Sequence, residues 1–195
     1  MFVTTLLAVS LAAPIPKAKP SELYFPTVEG TKRVMTMSSG GQPSELTETY
    51  SKVVEKDGKY TVTVTRDLGK QAVDFKYEVS AAGVFTLANP NGDLSQPMQV
   101  LKLPAKEGDS WKSESTAPGK VNLTATYTAG KEEEVEVPAG KYKAIPVVSE
   151  RTVGNNIIKT TTWYAAGVGV VKVVTENNGT QRVQELKEFT HGKAK

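Results

Sequence analysis

The segment WYAAGVGVVK, residues 163–172, sets an aromatic pair beside two closely spaced glycines, and its reading decides how the rest of the chain is understood. A dinucleotide-binding loop would need a third glycine and a strand-to-helix context that puts phosphate at a helix N-terminus. Short apolar alternating runs flank it on both sides instead. A three-residue hairpin loop closes on a residue in the left-handed region, which glycine enters without a Cβ clash, and Ala165-Ala166-Gly167 supplies such a loop. That turn pairs Tyr164 with Val168, Trp163 with Gly169 and Thr161 with Val171. Gly169 then leaves room for the Trp163 indole to lie across the neighbouring backbone.

The same AAGV device occurs at residues 81–84. Gly83 as the left-handed residue sets Val79 opposite Phe85 and Tyr77 opposite Leu87. Phe75 joins them on one face, with Lys76, Glu78 and Thr86 on the other. Asn178-Gly179 is a type I′ signal that places Lys172 opposite Glu185, Val174 opposite Val183 and Val171 opposite Leu186. Gly154-Asn155 brings Glu150 opposite Lys159, and Asp57-Gly58 turns residues 50–56 back onto 59–66. Ala129-Gly130-Lys131 reads as another hairpin, with Leu123 facing Val137. Pro138-Ala139-Gly140 reverses the chain between Val137 and Tyr142, because proline presets the first turn angle and glycine takes the left-handed slot.

Runs rich in Thr, Val and Tyr at this spacing, without helical periodicity, predict an all-β antiparallel domain of roughly 11–13 strands. A sheet that large curls or splits, so the expectation is one strongly curved, barrel-like meander, with a two-sheet sandwich as the alternative.

The first 13 residues of the 195-residue chain form an uncharged apolar run with small residues at Ser10, Ala12 and Ala13. Such a core is shorter than the roughly 20 residues a membrane span needs, and it reads as a secretory signal peptide cleaved after Ala12 or Ala13. The expected organisation is a leader at 1–13, a linker at 14–22, one β domain at 23–190 and a flexible tail at 191–195. The mature protein is then exported, periplasmic or extracellular, with no membrane span. The chain has no cysteine, which removes disulfides, thiolate metal sites and cysteine nucleophiles. Its formal net charge of +3 arises from interspersed lysines and glutamates without a basic-aromatic stripe, so nucleic acid is not an expected partner.

The single histidine, His191, lies near the end of the chain, so neither a Ser-His-Asp triad nor a histidine metal site is expected. The acidic run Glu132-Glu133-Glu134-Val135-Glu136 reads as a solvated strand edge rather than a calcium loop, because alternating positions point to opposite faces. No catalytic, cofactor-binding or metal-binding residue is assigned, and no cofactor is expected. Asn122 and Asn178 match glycosylation acceptors, which matters only in a glycosylating host.

Four pieces of the chain carry a resemblance: Tyr24-Phe25-Pro26 with Gly30, Gly108-Asp109-Ser110-Trp111, the run VPAGKYKA at 137–144, and the opening segment. Together they resemble a group of secreted bacterial all-β proteins of unknown function. The resemblance implies a curved antiparallel domain exported across the inner membrane and brings no active site. Such proteins often carry tryptophan three residues after the first glycine, where this chain has Arg33. There is a weaker likeness to the periplasmic lipoprotein-carrier fold, a half-open barrel whose cavity is closed by helices that this sequence lacks.

The expected function is a secreted non-enzymatic β protein whose concave face contacts an apolar small molecule or an envelope component. Phe75, Tyr77, Phe85, Leu87 and Trp163 are the ligand-facing candidates. The alternatives are a carboxylate-dependent envelope hydrolase, needing two acids about 5–9 Å apart, and an assembly module that adds an edge strand to a partner.

Overall fold

The computed structural model describes residues 22–39, 42–153 and 156–193. The expected leader, most of the linker, the Gly154-Asn155 loop and the last two residues lie outside them. The described residues form thirteen strands: β1 (Lys32–Ser39), β2 (Gln42–Lys56), β3 (Lys59–Asp67), β4 (Ala72–Ser80), β5 (Gly83–Asn89), β6 (Gly92–Lys102), β7 (Ser110–Ala117), β8 (Val121–Ala129), β9 (Glu133–Val137), β10 (Gly140–Val153), β11 (Asn156–Ala165), β12 (Gly169–Asn177) and β13 (Thr180–Thr190). They make one antiparallel sheet in the order β6-β5-β4-β3-β2-β1-β13-β12-β11-β10-β8-β7, with β9 beside β10. The sheet is a nearly closed barrel, and the sandwich alternative does not arise.

Two-residue turns with strong local chemistry fix their registers. Asn178 and Gly179 have φ of 47° and 77°, as a type I′ turn requires, and Lys172 pairs with Glu185 and Val174 with Val183. Asp57-Gly58 likewise sets Lys56 against Lys59, and Glu150 pairs with Lys159.

The two AAG turns differ from the expected register. Gly83 pairs directly with Ser80, so Val79 faces Val84, Glu78 faces Phe85, and Tyr77 faces Thr86. The loop is one residue shorter than expected, and the one-residue slip moves Phe85 to the other face. Gly167 does adopt a positive φ of 73°, but Ala165 pairs with Gly169, Tyr164 with Val170, Trp163 with Lys172 and Thr161 with Val174. A bulge at Val171 takes up the extra residue. Gly169 serves another neighbour: a Cβ there would lie 2.9 Å from Pro26 Cδ and 3.2 Å from Arg33 Nη1.

Ala129-Gly130-Lys131 is not a hairpin. β8 and β9 both pair with β10, β8 along Val147–Arg151 and β9 along Gly140–Ala144, so they run in the same direction as two halves of one broken strand. The break faces Pro146. Proline has no N–H to give the ladder, and Gly130 donates to the Pro146 carbonyl at 2.7 Å. A Cβ at Gly130 would lie 2.8 Å from Pro146 Cγ, so the glycine provides close approach rather than reversal. The β9–β10 hairpin, turning at Pro138-Ala139, lies against β12 and β13, with Ala139 N donating to Leu186 O at 2.9 Å.

Two apolar clusters result. The main one fills the barrel with Tyr50, Val62, Val64, Val79, Val84, Leu101, Val147 and Tyr164. The second gathers Met35, Leu46, Val135, Val137, Val171 and Leu186 beneath the β9–β10 hairpin. The segment preceding β1 crosses one end: Leu23 O accepts from Gly167 N at 2.7 Å, Gly30 N donates to Tyr50 O at 2.9 Å, and Leu23 and Phe25 are buried in the main cluster. Gly192 N donates to Thr31 Oγ1 at 3.0 Å at the same end.

The ring is completed differently at β6 and β7, the ends of the hydrogen-bonded strand order. Pro97 removes a backbone donor from β6, and buried side chains of β7 bridge to it. Ser113 Oγ accepts from Gln99 N at 2.9 Å, and Ser115 Oγ donates to Gln96 O at 2.8 Å. Trp111 Nε1 donates to Gln99 O at 2.9 Å, its ring stacked on Tyr127. From β6, Ser95 Oγ accepts from Thr116 N at 2.9 Å. Each such bond contributes about 1 kcal/mol. The double variant Ser113→Ala, Ser115→Ala is therefore expected to lose about 2 kcal/mol in urea denaturation. In hydrogen exchange, the amides of Gln96 and Gln99 should lose protection while those of β3 keep theirs. Equal loss around the ring would show that the seam is no separate unit.

Candidate functional site

The barrel interior holds a cavity of about 210 Å³. Its walls include Val64, Val84, Val100, Val170 and Val173, with Phe25 contributed by the segment that crosses the barrel end. Three charged residues also line it: Arg33, Glu48 and Arg66. Strand alternation explains how charges came to lie there. Arg33 shares a face with Met35, Glu48 with Leu46 and Tyr50, and Arg66 with Val62 and Val64. Register then sets Arg33 directly opposite Glu48 and Glu48 directly opposite Arg66, a row of alternating charge across β1, β2 and β3.

Arg33 is 2% exposed and Glu48 7%, whereas Arg66 is 32% exposed, so the row runs from the interior towards solvent. Arg66 Nε donates to Glu48 Oε1 at 2.7 Å, and Arg33 Nε lies 3.7 Å from Glu48 Oε2. Arg33 Nη1 donates to Tyr50 Oη at 2.9 Å, and Nη2 contacts Met35 Sδ at 3.3 Å and donates to the Val170 carbonyl. This one guanidinium therefore joins β1, β2 and β12, and its close neighbour Gly169 leaves space for it and for Pro26.

The electrostatics follow from this geometry. Burial opposes ionisation of Glu48, but Arg33 and Arg66 outweigh it and hold the carboxyl below its ordinary range. Burial likewise opposes the charge on Arg33, and Tyr50 and Glu48 reverse the effect, leaving it more firmly protonated than usual. Tyr50 and Tyr164 are pushed up, chiefly by burial, and stay neutral at physiological pH. The carboxylate is thus the partner that balances Arg33 charge, and two cations against one anion leave the cavity wall one positive charge in excess.

Of the five ligand-facing candidates, Tyr77 lines the cavity. Phe75 stacks on Tyr77 with ring centroids 6.5 Å apart, and the Arg66 guanidinium carbon sits 4.1 Å over the Phe75 ring. Phe85 is paired with Glu78 and Gln99, and neither it nor Leu87 is among the cavity lining. Trp163 packs against the second cluster and donates from Nε1 to Glu133 Oε1 at 2.7 Å. Within the acidic run, Glu134 and Glu136 are exposed and lie 3.3 and 3.8 Å from Lys141, and no group of residues that could hold a metal occurs among the described residues. The charged row is the feature sequence reasoning missed. Its signal was present as a charge at an apolar-face position in each of three strands. In the sequence Arg33 stands out only against the tryptophan that the resembling proteins often carry at that position.

No family model matches the chain, and no curated protein is significantly similar to it. Two solved structures are similar in fold: a proposed lipoprotein of Parabacteroides distasonis, and a proposed exported protein of Bacteroides fragilis with a YmcC-like fold. Each superposes with a TM-score of 0.62 at 16% identity, covering 87% of this chain and 99% of its own. The fold is shared. At this identity the likeness is one of fold.

Glu48→Gln leaves Arg33 charge unbalanced in the interior and is expected to cost about 3 kcal/mol at neutral pH. Because the folded pKa of Glu48 is depressed, its contribution is complete above the unfolded value of 4.5 and fades as pH falls through the lower folded value. The gap between wild type and variant in denaturant titrations should therefore narrow below pH 4.5; a gap independent of pH would refute the ion-pair account. Gly169→Ala meets both a positive φ of 83° and the Pro26 ring, and is expected to lose more than about 1 kcal/mol, measured by the same titration.

Proposed function

We propose that this is an exported, non-enzymatic barrel protein of the bacterial envelope that holds a small ligand with an apolar body in its interior. The cavity carries this reading. Valine and aromatic side chains line it together with the charged row on β1–β3 and with Thr86, Thr162 and Gln184 from β5, β11 and β13, so apolar surface and convergent polar groups meet there, as in small-molecule sites. At about 210 Å³ it is smaller than the roughly 300–1,000 Å³ of drug-sized pockets, so the ligand is correspondingly small. The apolar leader and the fold shared with proposed envelope proteins support export.

The hydrolase alternative finds no support at this site. Among the described residues Glu48 is the single acid lining the cavity, and its flanking arginines keep it ionised, whereas a glycosidase acid needs a second carboxyl and a raised pKa. The edge-strand alternative is disfavoured by the seam, where β6 and β7 cover one another.

The test is purification of the native protein from its secreting host, followed by mass spectrometry of the extracted small molecules. One compound near stoichiometric amount is expected, and it should be lost from Thr86→Trp, which fills the cavity. A folded wild-type protein that carries nothing, and gains no thermal stability from small amphiphiles, would overturn the ligand reading in favour of a structural role.

A further inference from the structure

We propose that Arg66 is the anion-recognition residue of this cavity and that the ligand is a carboxylate on a short apolar body; the inference rests on the interior being a ligand site. A guanidinium offers five N–H donors in a planar fork. In Arg66 one edge is used: Nε donates to Glu48 Oε1 at 2.7 Å. The plane is fixed from below by Phe75, 4.1 Å from the guanidinium carbon, and Phe75 is in turn stacked on Tyr77. No described residue accepts a hydrogen bond from the terminal nitrogens of Arg66. The side chain is therefore oriented on two sides, lines the cavity and remains 32% exposed, with an outer donor edge unengaged. This is the preorganised fork that takes a carboxylate bidentately.

Arg33 does not compete for that role. Its terminal nitrogens are engaged by Tyr50, Met35 and the Val170 carbonyl, and it is 2% exposed. It serves to hold Glu48, so that Glu48 positions Arg66 without cancelling its charge. The row carries two cations and one anion, and a ligand with a single negative charge balances it. Size sets the rest of the molecule. The cavity corresponds to roughly seven water volumes at about 30 Å³ each, enough for a short alkyl or single-ring body.

The probes are hexanoate, 1-hexanol and acetate, titrated calorimetrically into ligand-stripped wild type, Arg66→Gln, Arg66→Lys and Phe75→Leu, each checked for a wild-type-like thermal transition. Wild type is expected to bind hexanoate about tenfold or more tighter than hexanol, and acetate weakly. Arg66→Gln should bring hexanoate close to the level of hexanol, lowering hexanoate affinity several-fold more than hexanol affinity. Arg66→Lys keeps the charge without the fork and should recover only part of the preference. Phe75→Leu retains both charges but releases the guanidinium, and should lose several-fold in hexanoate affinity, which keeps the proposal testable if the Arg66 variants do not fold. Hexanol binding as tightly as hexanoate, or hexanoate affinity unaffected by Arg66→Gln, would overturn the assignment while leaving the interior site in place. Binding of neither probe by wild type would overturn both.

Discussion

A buried guanidinium is the constraint around which this barrel is arranged. Arg33 carries a charge into an interior that would otherwise exclude it, and the surrounding structure supplies what the charge requires: the Glu48 carboxylate, the Tyr50 hydroxyl and the Val170 carbonyl. Those partners come from β2 and β12, and Pro26 and Gly169 close around the same group. Burying an ion pair is not in itself an efficient way to stabilise a fold, since apolar residues of similar volume often do as well. In the row across β1, β2 and β3 each charge has an opposite charge beside it, Arg33 and Arg66 flanking Glu48.

The curved antiparallel architecture was legible because its signals are local. Asn178-Gly179 and Asp57-Gly58 fix their hairpins through positive φ angles that few residues adopt, and each dictates the register of long flanking strands. Registers that depend on bulges were not legible. Val171 is the extra residue where β12 passes Trp163, and nothing in the valine-rich run Val168–Val174 marks it over its neighbours. Gly130 shows a related ambiguity: a glycine admits a turn or a close approach, and only the proline ring opposite it, sixteen positions along the chain, decides which.

The site was harder to read for a similar reason. Alternation in each strand places Arg33, Glu48 and Arg66 on the apolar face, but one charge on such a face is uninformative until its neighbours across the ladder are known. Tyr77 lines the cavity, and Phe75 is the platform beneath Arg66. Trp163, the most conspicuous residue of the opening segment, covers the second cluster instead. The aromatic signal thus marks burial in general, whereas the charge pattern marks this cavity in particular.

The barrel is joined into a ring at two unlike places. β1 meets β13 through a backbone ladder that brings together residues such as Thr36 and Glu185, 149 positions apart. β6 meets β7 through bonds between backbone and side chain, such as the one from Gln99 N to Ser113 Oγ, only 14 positions apart. The costlier loop closure is thus assigned to bonds that every residue type but proline can make, and the cheaper one to bonds that depend on residue identity. Around most of the circumference, evolution can exchange side chains without touching the hydrogen bonds that set strand order. At the seam the bond and the side chain are the same object, so the girth of the barrel there is inherited residue by residue.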